Sequence, residues 1–209
     1  MAVNINSVRL PVLPTWTLVS DTDTQRVFTT TEGDVISIDF FAQKTQLPFG
    51  TMNDVDVVRR YFIEAAKKDG AACVSAEVLA MQGLRVLKTI IKMRNPPQIS
   101  ATGVSYLGSW IIPLADFSYT IKVQCAETGT AGLREAVLLT KFPGLNQYAT
   151  KTRTGEANGN GVELSFADDD RYDEMFPEHP LSRCRNLLKY LQVKSKIDIV
   201  VRRSHAYAF

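Results

Sequence analysis

The sequence predicts a single α+β domain, α/β/α sandwich-like, with helices packed on a central antiparallel sheet of about six or seven strands. Residues 106–114 and 117–125 are two apolar runs separated by only Ala115 and Asp116, and the second run alternates apolar and polar positions. Strand-like segments are grouped along the chain with short links, which favours antiparallel neighbours because parallel pairs need long crossovers. A tight hairpin needs a sheet to join, so we expect this one at the sheet centre.

Alternating residues and turn signals predict further strands on both sides of this hairpin. They cover residues 16–20, 26–30, 34–41, 73–81 and 84–93. The first 15 residues contain Pro11 and Pro14 and little periodicity, which predicts an extended N-terminal arm. A last strand is expected at 197–201, and a C-terminal tail at 202–209.

Helical periodicity and capping signals predict two amphipathic helices. The first begins after Asn53 or Asp54, runs to about residue 68 and stops at Gly70. The second covers residues 180–191, with Pro180 in its first turn. Residues 128–140 fit either a glycine-rich turn into a helix or a turn into a strand. Glycine, asparagine and threonine dominate residues 143–165, which predicts a flexible loop.

Bulk composition indicates a soluble protein and excludes several classes. The formal net charge of +2 over 209 residues is too small to indicate a nucleic-acid partner or an anionic membrane. Three cysteines lie far apart, which favours a reducing compartment over a disulfide framework. No signal-like segment and no apolar run of about 20 residues is present, so we expect a cytoplasmic protein with no membrane span.

Catalytic and metal-binding motifs are weak. His179 and His205 are the only histidines, and neither lies beside a nucleophile in a known motif. An acidic patch precedes the second predicted helix and comprises Asp168, Asp169, Asp170, Asp173, Glu174 and Glu178. Its oxygen ligands suit Ca²⁺ or Mg²⁺, but carboxylates before a helix also interact favourably with its dipole. We favour the structural explanation and expect no metal and no cofactor.

Two other features suit either a binding role or a structural one. The turn from Gly129 to Gly132, followed by Arg134, could present backbone N–H groups to an anion. We favour an ordinary turn in which Arg134 and Glu135 form an internal ion pair. Trp110 and its neighbouring aromatic residues suit a binding surface or the core, and we favour the core.

The order of elements resembles the PsbP-like α/β/α sandwich, which photosystem II extrinsic subunits share with a Ran-binding nuclear import factor. The strand EGDVISIDFF at 32–41, the helix at 53–68 and the strand YTIKVQC at 119–125 carry the resemblance, and a closing helix at 180–191 fits the second layer. It extends over residues 16–192 at the level of architecture. The resemblance implies a binding or assembly module without catalytic machinery, although a shared fold does not determine function.

We therefore predict a non-enzymatic adaptor or accessory protein that recognises another macromolecule, and we expect that partner to be a protein. One specific form is an inhibitor or immunity-type protein whose acidic patch masks a basic site on its target. The predicted partner-binding residues are Asp168, Asp169, Asp170, Asp173, His179, Arg134 and Trp110. The first alternative is an enzyme or small-ligand carrier with Glu127, Arg134, Asp173 or His179 at the rim of a pocket between sheet and helix. The second is a self-assembling structural component.

Overall fold

The computed structural model describes residues 3–44, 46–99, 102–145 and 161–207. Its strands are β1 (Val8–Arg9), β2 (Thr17–Asp21), β3 (Gln25–Thr29), β4 (Val35–Phe41), β5 (Ala72–Met81), β6 (Leu84–Arg94), β7 (Val104–Pro113), β8 (Ser118–Ala126) and β9 (Lys196–Ile197). Its α-helices are α1 (Val55–Lys68), α2 (Leu133–Lys141), α3 (Pro180–Lys194) and α4 (Ile199–Arg202).

Seven strands form one sheet in the order β2-β3-β4-β8-β7-β6-β5, and every neighbouring pair is antiparallel. The predicted α+β class is confirmed, and so is the central position of the β7–β8 hairpin. Alternation in β8 explains that position. Its apolar side chains line up across the sheet with those of both neighbours, as in the row formed by Ile38, Ile121 and Trp110.

Helix α3 covers one face of the sheet at β7 and β8. Its stripe of Leu181, Cys184, Leu188 and Leu191 is fully buried against this face. The close approach depends on Gly108 of β7, because a Cβ atom there would lie 2.6 Å from Leu188 Cδ1 and 2.7 Å from Cys184 Sγ. Helix and sheet therefore enclose the main apolar core.

Helix α1 covers the opposite face over β5 and β6. Asp54 caps it by accepting hydrogen bonds from the backbone N–H groups of Asp56 and Val57. Val58 packs with Met52 and Leu87, and Ala66 packs with the small side chains of β5. The molecule thus has a helix on each face of its sheet, as the α/β/α sandwich-like prediction requires.

The two ends of the described chain meet beside the main core. Ile5 and Val8 of the N-terminal arm are buried, and β1 pairs with β9. The strand predicted over 197–201 is wrong in extent. Pairing ends at Ile197, and the chain turns into α4 because Asp198 begins a helical turn instead of extending the ladder.

The structure answers part of the question that the sequence left open over residues 128–140. Residues 133–141 form helix α2, preceded by Gly132 in a left-handed conformation with φ of 73°. Most of the loop predicted over 143–165 lies outside the described residues. In the described ranges, no helix is both long and apolar enough to cross a bilayer.

Candidate functional site

A buried ion-pair network lies at the end of the sheet where β6 and β8 finish and β7 begins. We use this name for Lys92, Tyr106, Glu127, Arg134, Asp168, Asp173, His179, Ser182 and Arg185. The strands supply Lys92 and Tyr106, while α2, α3 and the short 3-10 helices at Phe166–Asp168 and Asp170–Met175 cover them. Residues that are distant in sequence therefore converge at one point.

Lys92 and Asp168 form the innermost pair of the network. The Lys92 ammonium donates to both carboxylate oxygens at 2.9 and 3.1 Å, and each side chain is only 6% exposed. The Tyr106 hydroxyl donates to Asp168 Oδ1 at 3.0 Å, and the backbone N–H of Ser165 donates to Oδ2 at 2.8 Å. Burial, reinforced by the Asp168 charge, raises the pKa of Tyr106, which keeps it protonated. Asp168 is consequently saturated with donors.

Arg134 anchors α2 to the network and is 1% exposed. Its guanidinium donates to Asp173 Oδ1 at 3.0 Å, to the Ser182 hydroxyl at 2.9 Å and to the Asp169 carbonyl at 3.0 Å. It also lies 5.6 Å from the centre of the Phe176 ring. The predicted Arg134–Glu135 pair is wrong, because consecutive helical residues point in different directions.

Asp173 has a second cationic partner, and Glu135 has partners other than Arg134. Asp173 is shared with Arg185, whose guanidinium donates to it at 2.9 and 3.1 Å. Glu135 instead accepts from the Ser165 hydroxyl at 3.1 Å and lies 3.9 Å from the Lys92 ammonium. Two cations therefore meet one carboxylate at Asp173, and two carboxylates flank one cation at Lys92.

His179 is held neutral at the start of α3. Its Nδ1 accepts from the backbone N–H of Leu181 at 3.2 Å and lies 3.4 Å from Arg134 Nη1. Nδ1 is thus an acceptor, and the proton of the neutral ring belongs on Nε2, which lies 4.0 Å from Glu127 Oε1. Burial and the neighbouring Arg134 charge lower the pKa of His179 to about 4.

The glycine turn before α2 does bind an anionic group, which is the side-chain carboxylate of Glu127 in the same chain. Glu127 Oε1 accepts from the backbone N–H of Gly132 at 3.0 Å, and Oε2 accepts from the N–H of Val104 at 3.2 Å. The Asn95 side chain donates to the Glu127 carbonyl at 2.9 Å. The favoured structural interpretation of this turn agrees with these contacts.

A cavity of about 490 Å³ opens beside the network. Polar side chains in its wall include Lys92, Asn95, Tyr106, Glu127 and Glu135. The buried groups among them already form hydrogen bonds or ion pairs within the protein. The wall is therefore polar, but most of its hydrogen-bonding capacity is used internally. In the described ranges, no three histidine, cysteine, aspartate or glutamate side chains are arranged to hold a metal ion.

The predicted site residues separate into buried and exposed groups. Trp110 is fully buried, and its Nε1–H donates to the Leu188 carbonyl at 3.2 Å, so it belongs to the core. Asp168 and Arg134 are also buried, which removes them from any partner-facing surface. Asp173 and His179 are half-buried in the network, and Asp169 pairs with Arg171 at 2.5 Å.

The acidic patch is therefore smaller at the surface than its sequence indicates. Its exposed members are Asp170, Glu174 and Glu178. Internal cations neutralise Asp168 and Asp173, so these three carboxylates and the half-exposed Asp169 are the members of the patch that reach solvent. Contact of the patch with a partner stays a prediction.

Sequence reasoning missed four members of the network, which are Lys92, Tyr106, Ser182 and Arg185. A signal for Lys92 was present, since it occupies the alternating positions of β6 that also hold Leu84, Val86 and Ile90. A lysine on the apolar side of a strand requires a buried partner. The identity of that partner depends on a segment 76 residues away and has no local signal.

Exposed apolar side chains lie on α2, at its C-terminal end, and on the segment 164–175 that contains the short 3-10 helices. We use the name α2 surface for these exposed residues, Leu133, Val137, Phe142, Leu164 and Met175. Leu133 is 57% exposed on the same helix that buries Arg134. The contact between Phe142 and Tyr172, with ring centres 6.3 Å apart, joins the end of α2 to the segment that carries Asp170 and Glu174. Apolar and acidic groups thus share this side of the molecule.

Comparison with known proteins identifies no family. No protein-family model and no curated protein matches the sequence. Among solved structures, the Ran-binding protein Mog1p of Saccharomyces cerevisiae is similar, with a TM-score of 0.45 and 11% identity over 94% of this chain and 93% of that one.

Two further solved structures show lower similarity. A Bacteroides thetaiotaomicron protein has a TM-score of 0.36 and 10% identity over 59% of this chain and 40% of its own. A Pseudomonas aeruginosa protein of unknown function has a TM-score of 0.36 and 14% identity over 64% of this chain and 92% of its own. At this level of similarity, these structures assign neither a family nor a function to the chain.

Proposed function

We propose that this chain is a non-enzymatic protein-binding module that presents the α2 surface to its partner. The observation that carries the proposal is the pairing of an apolar outer face on α2 with a rigidly held inner face. Buried Arg134 ties the helix to Asp173, Ser182 and the Asp169 carbonyl, so the outer face is pre-organised. Pre-organisation reduces the conformational entropy that is lost on binding.

The state of the buried polar groups supports binding over catalysis. Tyr106 and Lys92 donate to Asp168, and both Nδ1 contacts of His179 occupy its basic nitrogen. A general base or nucleophile must instead offer a free lone pair to its substrate. The network therefore serves to fix α2 and α3 in position on the sheet.

Charge around the α2 surface defines the kind of partner that would fit. Asp170, Glu174 and Glu178 are exposed. They outnumber the exposed cations of the same region, which are Lys141 beside Phe142 and Arg171 in its pair with Asp169. The complementary partner is a protein surface with an apolar anchor bordered by lysine or arginine. An inhibitor or immunity-type role is one specific form of this proposal. Membership of the PsbP-like superfamily and a cytoplasmic location remain predictions.

A matched pair of variants tests the proposal. Leu133→Ser with Val137→Ser alters the α2 surface, and Val55→Ser with Ile63→Ser alters exposed apolar positions of α1 to the same extent. A partner isolated by affinity capture is purified, and its affinity for each variant is measured by calorimetry. We expect the α2 variant to weaken binding at least tenfold, because apolar anchors dominate such interfaces, and the α1 variant to retain full affinity.

Charge reversal supplies a second readout. Asp170→Lys with Glu174→Lys should slow association in a salt-dependent manner, with little change in dissociation. Equal affinity for both serine variants would contradict the proposal, as would the absence of any stoichiometric partner under all conditions.

A small-ligand carrier is a second candidate because a cavity of about 490 Å³ adjoins the network, and its wall contains Glu127, Glu135 and Glu163 as well as the cations Lys92 and Arg94. Carboxylates outnumber cations there by one, which favours an amine-bearing ligand. Titration with butylamine, followed by amide chemical shifts of Gly103 and Gly132, tests this candidate. Linear, non-saturating shifts up to about 20 mM, well above a typical weak affinity, would exclude it.

A further inference from the structure

A second cavity, of about 480 Å³, lies at the opposite end of the sheet from the ion-pair network. It forms where β6 begins, β7 ends and the segment after α4 returns to the body. We call it the C-terminal pocket and define it by Met52, Asn53, Arg85, Leu114, Arg202 and Ser204, with their neighbours. It shares no residue with the network or the α2 surface.

The floor and one wall of the C-terminal pocket are built by tertiary contacts. Met52, Leu84 and Leu114 are buried and provide an apolar floor. The C-terminal segment forms the wall, since Leu114 and Ala206 form an antiparallel bridge and the backbone N–H of Ala115 donates to the His205 carbonyl at 3.1 Å. The pocket is therefore a feature of the folded chain and not of one exposed loop.

Charge in the pocket has one sign. Arg85 and Arg202 line it, and none of its lining residues is an aspartate or a glutamate. Arg85 donates to the Met52 carbonyl at 2.5 Å and to the Asn53 side-chain oxygen, which are both neutral acceptors. In the described part of the chain, neither Arg85 nor Arg202 forms an ion pair with a carboxylate. Both guanidinium groups are exposed beside the apolar floor, and within the described residues neither is neutralised by a carboxylate.

We infer that the C-terminal pocket binds a small molecule in which an oxyanion group, carboxylate or phosphate, is attached to a short apolar body. Guanidinium groups bind planar or tetrahedral oxyanions through paired N–H donors. Thr51 adds a hydroxyl group to the lining, and the apolar floor accommodates the body. The volume suits a molecule of this size.

Titration of the full chain with three probes of similar shape tests the inference. Benzoate and phenyl phosphate carry the two oxyanions, and benzyl alcohol carries the same ring without charge. Amide chemical shifts of Gly83, Arg85 and Ala206 report on the pocket. We expect saturable shifts with at least one anion and weaker binding of benzyl alcohol. The anion that binds more tightly identifies the headgroup.

Two single variants separate the pocket from general charge attraction. Arg202→Gln removes a pocket cation that makes no ion pair among the described residues, so the variant should fold normally and bind the anion about tenfold more weakly. Arg203→Gln removes the neighbouring cation, which is exposed like Arg202 but is not a lining residue, and should change affinity less than twofold.

Thermal unfolding of each variant confirms that it remains folded. Equal loss of affinity in both variants would overturn the inference, and so would equal binding of benzyl alcohol. Absence of saturable shifts with either anion up to about 20 mM would also overturn it, since that excludes even millimolar affinity.

Discussion

Lys92 and Asp168 illustrate how a single buried charge constrains its surroundings. Each would be costly to bury alone, and their mutual attraction offsets that cost only with further hydrogen bonds. Tyr106 and the backbone of Ser165 supply two of those bonds. The pair therefore contributes little net stability, and its main effect is to fix the position of the segment that carries Asp168.

A double-mutant cycle measures this coupling. Asp168→Asn alone leaves the Lys92 charge buried, and we expect it to lower the free energy of unfolding by about 3 kcal/mol. Lys92→Met alone should also destabilise the protein. The double variant removes both charges while the asparagine oxygen still accepts from Tyr106, so its cost should fall below the sum of the single costs by more than 1 kcal/mol or so. Urea unfolding measures all four proteins, and strictly additive costs would contradict the coupling.

His179 predicts a specific dependence of stability on pH. Its pKa is lowered from 6.5 to about 4 in the folded protein. Between these values the unfolded chain binds a proton that the folded chain does not, so stability is complete above pH 6.5 and decreases as the pH falls towards 4. The total effect is on the order of 3 kcal/mol.

Substitution of this histidine isolates its contribution from that of the carboxylates. His179→Asn retains a good N-cap for α3 and removes the titrating ring. The difference in unfolding free energy between pH 7 and pH 4.5 should therefore be smaller in this variant than in the natural sequence. His205→Asn, at an exposed position, is the control and should leave the difference unchanged. An identical pH dependence in all three proteins would show that His179 titrates normally.

At the scale of elements, the contact between α3 and β7 is set by one missing side chain. Gly108 lies under the helix at a point where a Cβ atom would approach Leu188 and Cys184 to well under 3 Å. Both neighbours are fully buried and cannot move without disturbing the core. The local backbone is ordinary strand, so the requirement for glycine comes from packing alone.

Gly108→Ala should accordingly destabilise the protein by roughly 1–3 kcal/mol through overpacking. Gly144→Ala is the matched control, because a Cβ atom at that position meets nothing within 4 Å. Thermal or urea unfolding distinguishes them. Equal effects of the two substitutions would mean that α3 shifts freely away from the sheet, against the close packing described above.

Across the whole molecule, the N-terminal arm and the C-terminal region stabilise each other. Ile5 and Val8 are buried in the main core, the Asp198 backbone N–H donates to the Ser7 carbonyl at 2.9 Å, and Tyr119 donates to the Asn4 carbonyl at 2.6 Å. The arm is thus part of the folded unit, although its sequence shows little periodicity.

Ile5→Ala combined with Val8→Ala should lower the unfolding free energy by roughly 4 kcal/mol, since both side chains leave cavities. Hydrogen exchange of the Asp198 amide should also accelerate, because its acceptor lies in the arm. Val12→Ala with Leu13→Ala changes exposed residues of the same arm and should cost less than about 1 kcal/mol. A small effect of the first pair would show that the arm is dispensable.

The sequence by itself determined the elements whose signals are local. Period-two alternation specified the strands of the hairpin, and Pro180 with its leucine stripe specified α3. A cap signal at Asn53 or Asp54 placed the start of α1 to within one residue. These patterns extend over a few residues, so they can be recognised without knowing which element each segment packs against. The α+β class followed from their order.

The tertiary structure alone decided the pairing of charges and the exposure of the acidic patch. Lys92 meets Asp168, and Arg134 meets Asp173, across separations of 76 and 39 residues. No periodicity encodes such pairs, because the energy that selects them arises only after the sheet and helices exclude water from between them. For the same reason Asp168 and Asp170, two residues apart in an acidic run, lie in the interior and at the surface respectively.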